Sequence, residues 1–302
     1  MWHSHYEQIH KGRTRMTMGN YIVFIQIHGE AEKLEKCWKS LAYQDFKPSK
    51  VVIVDDGTPD DSVRREYMRI LNAAHLNYIS VDYFKGADPK EPNLDTVGIA
   101  MKRAFGQYVL FTENQLFSFL SIIDVDSCPA KNYYRLVIEK MNLNPSIMCC
   151  SGVIKARTKC GYYRDEKLLS AKFIKRKDAR GSGKVIRAFF LNNIPLNLFP
   201  EVAWDTWINV KAKQAGYKTI QLPYATIYAS RSTTRVSNRD NFRDGRLSYH
   251  FGYNPLLILY KVLFRGLDVL RGYREARQQQ WRLPDEKVRQ WFGWRYLLHF
   301  WK

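Results

Sequence analysis

Residues 51–57 read VVIVDDG, four β-branched apolar residues followed by two aspartates and a glycine. A short, unbroken apolar run that ends in turn residues is typical of a strand buried on both faces. The segments YIVFIQI at 21–27 and SIIDVDS at 121–127 have the same apolar character. Helical spacing of apolar residues follows the first two of these strands, at 31–44 and at 62–75. This alternation predicts an α/β fold with a doubly wound, mostly parallel sheet.

The pattern continues along the chain and then weakens. We expect a third strand at 76–83, helices at 94–107 and 131–142, and a strand at 145–154. Beyond residue 155 the sequence predicts a basic loop at 176–184, a helix at 204–216 that ends at a glycine, two short strands within 217–229, and a polar loop or lid at 230–246.

Acidic residues follow two of the predicted strands at the point where each strand ends. They are Asp55 and Asp56 in the first case, and Asp124 and Asp126 in the second. Ligands of doubly wound sheets bind beyond the carboxyl ends of the strands, so both pairs are candidate binding groups. A carboxylate there can accept hydrogen bonds from a base or a ribose, and two can converge on a hard cation beside a diphosphate. Turn formation is the alternative role, and the residues alone leave it open.

A third acidic site occurs in Trp204-Asp205-Thr206-Trp207, at the start of a predicted helix. Asp205 is a candidate general base, because an attacking hydroxyl must lose its proton to a nearby acceptor. Stabilisation of the helix N-terminus is the alternative, since that end attracts negative charge. The two tryptophans fit a sugar-stacking wall and core packing equally well.

Taken together, the segments VVIVDDGTPDDS (51–62), SIIDVDS (121–127) and WDTWINVKAKQAGYKTIQLPYATIYA (204–229) resemble family 2 glycosyltransferases. The resemblance covers roughly residues 21–230 and is strongest at 51–62. It implies a GT-A, Rossmann-like fold. It also implies inverting transfer of a sugar from a nucleotide diphosphate sugar, with Mn²⁺ or Mg²⁺ as cofactor.

The resemblance also implies roles for individual residues. Asp55 and Asp56 would bind the nucleotide, with Asp56 as the main contact to the base. Asp124 and Asp126 match the Asp-X-Asp motif, in which Asp124 faces the ribose or the metal and Asp126 binds the metal. Asp205 matches the catalytic aspartate. Lysines and arginines within 176–187 and 231–246 are candidates to stabilise the diphosphate.

The chain departs from the family pattern in two places. Trp204 stands where the family usually has a glutamate before the catalytic aspartate. The first strand ends in Gln26-Ile27-His28-Gly29, whereas the family usually has a Pro-Thr-Tyr-Asn-like turn. We expect His28 to take the place of the tyrosine against the base.

The 302-residue chain is strongly basic, with 48 Lys and Arg against 29 Asp and Glu and a net charge of +19. The excess is concentrated in 155–187, with twelve cations against three acids, and in 231–302, with fifteen against six. Such a charge predicts a polyanionic partner: a nucleic acid, an anionic membrane or a phosphorylated substrate. No nucleic-acid-binding motif is recognised, so we expect no nucleic acid partner.

We expect three parts: a flexible tail at 1–20, the GT-A domain at 21–230, and a basic, aromatic region of loop and amphipathic helices at 231–302. Trp, Tyr and Arg within 251–302 favour contact with a membrane surface, although packing on the protein or a homo-oligomer contact would use the same residues. No apolar run is long enough to cross a bilayer, and no signal peptide is recognised. Five cysteines without a pairing or metal pattern indicate a reducing compartment. The expected location is the cytoplasm, peripheral on the inner face of the cell membrane.

Our leading hypothesis is therefore a glycosyltransferase of cell-surface polysaccharide or glycoconjugate synthesis. A UDP-sugar is the favoured donor and GDP-mannose the second, and the acceptor is a glycan or a polyprenyl-linked glycan. A sugar nucleotidyltransferase is one alternative, and a non-enzymatic basic module that binds anionic lipid or nucleic acid is another. The role of His250 stays open between a structural residue and a metal or acceptor contact.

Overall fold

The computed structural model describes residues 20–74, 79–85, 96–110, 117–157, 163–165, 178–200, 202–230 and 238–295, so the predicted tail lies almost wholly outside it. One nine-stranded sheet runs through the described residues, in the order β3-β2-β1-β4-β8-β6-β9-β5, with β7 paired to β6. The strands are β1 Tyr21–Ile27, β2 Lys50–Asp55, β3 Ser80–Lys85, β4 Phe119–Asp124, β5 Ser127–Pro129, β6 Ile147–Arg157, β7 Tyr163–Asp165, β8 Lys184–Arg187 and β9 Lys218–Ala229.

Helices cover both faces of this sheet, which confirms the α/β prediction. They are α1 Ala31–Ala42, α2 Ser62–Ala74, α3 Thr96–Phe105, α4 Tyr133–Leu143, α5 Ala188–Asn192, α6 Trp204–Gln214, α7 Asn238–His250, α8 Pro255–Arg265, α9 Leu267–Gln278 and α10 Glu286–Gln290. A wider π-helical turn follows α3 and another follows α10, over Gly106–Leu110 and Trp291–Arg295.

The first half of the sheet is parallel, because β1 pairs in parallel with β2 and β4, and β2 with β3. The second half is mixed, since β8 runs antiparallel between β4 and β6. Along β1, Val23 and Ile25 pack in a layer with α1, α2 and α4, whereas Ile22 and Phe24 pack in a second layer with α3 and α6. Burial of both faces explains why these strands are continuous apolar runs in the sequence.

The parallel pairing brings the ends of β2 and β4 to one edge of the sheet, on either side of β1. Gln26 pairs with Val54 on one side and with Asp124 on the other, and Ile27 pairs with Asp55. Neighbouring strands lie about 4.8 Å apart. The two acidic loops are therefore roughly 10 Å apart, two strand spacings across the same edge.

The second half of the sheet differs from the prediction. Residues 217–229, predicted as two short strands, form the single strand β9. Its pairing with β6 jumps from Leu222 opposite Gly152 to Thr226 opposite Val153. The extra residues form a bulge, which accommodates a proline without a ladder N–H. The sequence did not predict β5, β7 or β8.

The polar stretch 230–246, predicted as a loop or lid, is helical from Asn238 onward, so that prediction is wrong for α7. Residues 231–237 lie outside the described residues. Close packing on α9 explains the helix: a Cβ on Gly245 would lie 2.0 Å from the carbonyl oxygen of Val269, and one on Gly272 2.0 Å from that of Phe242. Tertiary contact of this kind stabilises a helix whose local sequence is unfavourable.

The amphipathic segment predicted at 256–273 is two helices rather than one. Gly266, with φ +97°, separates α8 from α9. This backbone conformation strongly favours glycine, so the break is encoded at that residue. No helix within the described ranges is both long and apolar enough to cross a membrane.

Candidate active site

The loop after β2 is built around the side chain of Asp55, which is almost completely buried. Its Oδ1 accepts hydrogen bonds from the backbone N–H of Gly57 (3.2 Å) and of Thr58 (2.8 Å). Its Oδ2 accepts one from the hydroxyl of Tyr83 in β3 (2.8 Å). Burial, and then this hydrogen bond, raise the pKa of Tyr83 well above its usual value, so the hydroxyl keeps its proton. Asp55 thus holds the turn in shape.

Asp56 faces His28, the first residue after β1. His28 Nδ1 lies 2.7 Å from Oδ1 of Asp56, and the carboxylate is buried while the imidazole is 63% exposed. The backbone joins the same two loops, because the N–H of Asp56 donates to the carbonyl of Ile27 (3.0 Å) and that of Gly29 to the hydroxyl of Thr58 (2.9 Å). His28 and Asp56, singled out separately in the sequence, form one pair with an exposed ring.

The second acidic loop follows β4. Asp124 is the last residue of that strand, and Asp126 lies in the turn before β5. Leu120 and Ile122 pack in the layer that contains α6, and the period of two along a strand assigns Asp124 to the same face. Asp126 is buried, and its carbonyl accepts a hydrogen bond from the backbone N–H of Ser230 (2.9 Å). The start and end of this turn are therefore both anchored in the sheet.

The segment 181–183 connects the end of β4 to the start of α6. The hydroxyl of Ser182 accepts a hydrogen bond from the backbone N–H of Asp124 (3.2 Å). Gly181 lies beneath the carboxylate of Asp205, because a Cβ added to this glycine would be 3.1 Å from Oδ2. One short segment thus contacts both Asp124 and Asp205, which are 81 positions apart in the chain.

Lys184, the first residue of β8, is fully buried below the first turn of α6. Its Nζ donates to the backbone carbonyl of Asp205 (2.5 Å) and to Oδ1 of Asn209 (3.1 Å). Nδ2 of Asn209 in turn donates to the carbonyl of Ala179 (2.8 Å). Burial lowers the pKa of Lys184, and the negative charge of Asp205 partly opposes that shift. This chain of hydrogen bonds fixes the backbone that carries Asp205.

The tryptophans beside Asp205 lie in the core. Trp207 is completely buried, and its Nε1 donates to Oδ2 of Asp285 (3.2 Å). Trp204 stacks against Phe199 with ring centroids 6.4 Å apart. Of the two roles open to these tryptophans, core packing is the one the structure supports.

Asp124 and Asp126 are the residues that fit a divalent cation. Mg²⁺ is commonly bound by one or two carboxylates together with substrate phosphates and water, and Mn²⁺ also prefers oxygen ligands. Across the described residues, no group of three or more His, Cys, Asp or Glu forms a metal site. The donor set that the chain offers at this edge is these two carboxylates.

Two of the basic residues expected at the diphosphate have structural partners. Lys184 is bound below α6, and the buried Arg187 donates from Nε to the carbonyl of Ile147 (3.0 Å) and from Nη2 to that of Met141 (2.5 Å). The candidates in 231–237, with those at 176 and 177, lie outside the described residues.

His250 is buried among the C-terminal helices. Its ring centroid lies 4.3 Å from that of Trp281. Burial lowers its pKa to about 4, so the ring is neutral at physiological pH. This environment favours the structural role that the sequence left open.

Sequence reasoning did not single out Gly181 or Ser182, and it considered Lys184 only among the cations that could stabilise the diphosphate. The run ARGSGK at 179–184 contained a signal, since small residues directly before a strand allow close approach of another side chain. It was interpreted as a basic loop whose cations could stabilise the diphosphate. The residues that this run contacts, Asp124 and Asp205, are distant from it in the sequence.

Residues 22–72 match the family model described as Glycosyl transferase family 2. The matched segment runs from β1 into α2, so it contains His28, Asp55 and Asp56 and ends before Asp124 and Asp205. No curated protein sequence matches the chain significantly.

Two solved structures share the fold. The mannosyltransferase PcManGT from Pyrobaculum calidifontis, in complex with GDP-Man and Mn²⁺, is 17% identical with a TM-score of 0.54, over 77% of this chain and 63% of that one. GalNAc-T7 with UDP, GalNAc and Mn²⁺ is 15% identical with a TM-score of 0.50, over 79% of this chain and 49% of that one. The chain therefore spans less than two thirds of the length of each. The match over 22–72 shows that this segment is similar to family 2 glycosyltransferases, and the shared architecture shows that the chain has the GT-A fold.

Proposed function

We propose that the protein transfers a sugar, with inversion, from a nucleotide diphosphate sugar to a hydroxyl of a glycan or lipid-linked acceptor. The observation that carries this proposal is the arrangement at one edge of the sheet. The pair His28 and Asp56 lies on one side of β1, and Asp124 and Asp126 lie on the other. From there the segment 181–183 leads to Asp205 at the start of α6. A separation of roughly 10 Å suits a nucleoside at the first loop and its diphosphate at the second.

The nucleotide would bind at the loops that follow β1 and β2. The exposed ring of His28 offers a surface for stacking, and the carboxylate of Asp56 is an acceptor for an N–H of the base. Asp55 would act by shaping the turn at Gly57 and Thr58, whose backbone approaches the nucleotide. A UDP-sugar is the favoured donor and GDP-mannose the second candidate. The two structures that share the fold were solved with UDP and with GDP-Man.

Asp126, together with Asp124, would hold Mn²⁺ or Mg²⁺. When bound there, the ion supplies positive charge that stabilises the leaving diphosphate. Asp205 accepts the proton of the acceptor hydroxyl, and the acceptor oxygen attacks the anomeric carbon as the bond to the diphosphate breaks. A single displacement from the opposite face inverts the configuration at that carbon. The segment 181–183 and Lys184 keep Asp205 in position during this step.

The acceptor would belong to cell-surface polysaccharide or glycoconjugate synthesis. Lipid-linked intermediates of that synthesis carry phosphate groups and lie at a membrane surface. A chain with a net charge of +19 is attracted to such anionic surroundings.

The first experiment measures thermal stability with UDP, GDP, TDP and CMP compounds, each with and without Mn²⁺. A ligand that binds only the folded state raises the melting temperature by mass action. We expect a metal-dependent increase with one nucleotide diphosphate in the wild type. Asp126→Ala should abolish it. Asp45→Ala is the matched control, because Asp45 lies away from the site and pairs with Lys131 (3.5 Å).

The donor so identified is then tested for transfer and for the anomeric configuration of the product. A folded protein that no nucleotide diphosphate stabilises would contradict the proposal. Release of pyrophosphate from a nucleoside triphosphate would indicate a sugar nucleotidyltransferase instead. Salt-sensitive binding of nucleic acid or anionic lipid, without nucleotide binding, would indicate a basic binding module.

A further inference from the structure

The outward side of α8 carries the largest group of exposed apolar side chains on one helix of the described structure. They are 56 to 74% exposed. Three of them are spaced by three and four residues, which places them along one helical stripe, and the fourth lies directly beside it. Other exposed apolar side chains, such as Met68 and Leu143, lie on separate elements. We call this stripe the α8 face and define it as Leu256, Leu259, Leu263 and Phe264; Leu267, 65% exposed, follows at the start of α9.

The opposite side of α8 is fixed to the protein. Leu257 and Ile258 are buried in the helical layer. Lys261 Nζ lies 2.7 Å from Oδ1 of Asp244 in α7, and Arg265 Nη1 lies 2.9 Å from Oδ2 of the same residue. These contacts set the rotation of the helix about its axis, so the α8 face points outward as a constant feature of the fold.

The surroundings of the α8 face are basic. The helix itself contains two cations and no acidic residue. Residues 251–302 contain ten Lys and Arg against four Asp and Glu, and Arg271, Arg274 and Arg277 are exposed on α9. An apolar helical stripe with cations beside it is typical of a helix that lies in the interface of a membrane. Anionic headgroups attract such cations.

We propose that the α8 face binds the surface of an anionic lipid bilayer. The leucines and Phe264 would insert at the boundary between headgroups and acyl chains, with the α9 arginines against headgroup phosphates. The inference rests on the proposed function only in that a lipid-linked acceptor lies at the same surface. A second copy of the chain is the competing occupant. Two such faces in a symmetric dimer would bring both sets of arginines together, and like charges repel.

The test is sedimentation of the full chain with phosphatidylcholine vesicles, prepared with and without phosphatidylglycerol. It uses no donor or acceptor, so its result is separate from any failure of the transferase proposal. We expect binding to vesicles that contain phosphatidylglycerol. The double variant Leu259→Glu with Leu263→Glu should bind at least about tenfold more weakly, because it removes inserted apolar groups and adds repelled charges. Circular dichroism and thermal melting verify that the variant is folded.

Leu143→Glu is the matched control, because Leu143 in α4 is a leucine 67% exposed and outside the α8 face. It should bind vesicles nearly as well as the wild type. Vesicle binding that survives the double substitution would overturn the proposal, as would a wild-type chain that binds no vesicles. The proposal would also fail if the wild type were dimeric by light scattering and the double variant monomeric, since the α8 face would then be a dimer contact.

Discussion

The loop after β2 and the start of α6 differ in how their carboxylates are held. After β2, the oxygens of Asp55 accept three hydrogen bonds from the chain itself, and the side chain is almost fully buried. At the start of α6, Asp205 is half-buried and is positioned through its backbone carbonyl, which accepts a hydrogen bond from Lys184. Its carboxylate lies over Gly181. The carboxylate of Asp55 is therefore part of the loop structure, whereas Asp205 is positioned by a contact to its backbone.

This difference predicts opposite consequences of substitution. Replacing a carboxylate that organises a turn should mainly lower stability, because its loss leaves buried donors without an acceptor. Replacing a carboxylate whose residue is held through its backbone should mainly lower the reaction rate, because the supporting contacts remain when the side chain changes. The same residue type in a strand-end loop and at a helix start thus allows the two roles to be separated by measurement.

Asp205→Asn is expected to give the largest effect, a fall in kcat of about 10³-fold. The amide has nearly the same size but cannot take the proton from the hydroxyl of the acceptor. The hydrogen bond from Lys184 to the backbone is retained. The melting temperature should stay close to that of the wild type. Initial-rate kinetics and a thermal melt on the same preparation test both parts.

Asp268→Asn is the control for Asp205→Asn. Asp268 also lies in the first turn of a helix, α9, and pairs with Arg271 (3.1 Å). A surface ion pair contributes little stability, so both kcat and the melting temperature should change little. An Asp205→Asn enzyme that keeps its full kcat would exclude Asp205 as the general base.

Asp55→Ala is expected to act mainly on stability. It should lower the free energy of unfolding by about 3 kcal/mol, because three donors around a buried carboxylate lose their acceptor. Urea denaturation measures this value. Asp60→Ala, in the same loop, is the control, since exposed Asp60 accepts only a local hydrogen bond from Ser62 (2.9 Å) and should cost less than about 1 kcal/mol. Unchanged stability with lost nucleotide affinity would make Asp55 a direct nucleotide ligand.

The first half of the fold was predictable because local sequence decides it. β1, β2 and β4 are buried on both faces, so each appears as an unbroken apolar run. Parallel pairing then brings their ends to one edge, which is why the acids after β2 and β4 could be assigned to a common site. Position in the chain and strand direction were sufficient for that inference.

The second half was not predictable because distant contacts decide it. β8 reads KVIR, and both of its cations are buried, contrary to any apolar pattern. Lys184 is satisfied by Asp205 and Asn209, and Arg187 by carbonyls of α4 and β6. No local pattern reveals those partners. The contacts of Gly181 and Lys184 with Asp205 were missed for this reason. Asp205 itself was singled out because its segment resembles the family.

Gly181→Ala should lower kcat less than Asp205→Asn does. The added Cβ would lie 3.1 Å from Oδ2 of Asp205, so the carboxylate must move by a few tenths of an ångström. We expect kcat to fall about tenfold, because small displacements of a positioned group are costly to the reaction. Stability should change by less than about 0.5 kcal/mol. An unchanged kcat would mean that Asp205 tolerates displacement and that Gly181 has no positioning role.

The smallest expected effect is the contribution of Lys184 to the pH dependence of stability. Burial lowers its pKa in the folded protein, so between that value and the ordinary value of about 10.4 the unfolded chain binds more protons. Stability conferred by this site therefore rises with pH through that interval, and below it the cost of burying the charge is present in full. We expect the unfolding free energy of the wild type to increase with pH relative to that of Lys184→Met. Cys150, whose pKa burial raises to about 12, titrates in both proteins and cancels in the difference. Cys149 interacts with the charge of Lys184, so both proteins are compared in a Cys149→Ala background. A difference that is independent of pH would show that Lys184 is not buried as a charge-bearing group, and the support beneath Asp205 would need another origin.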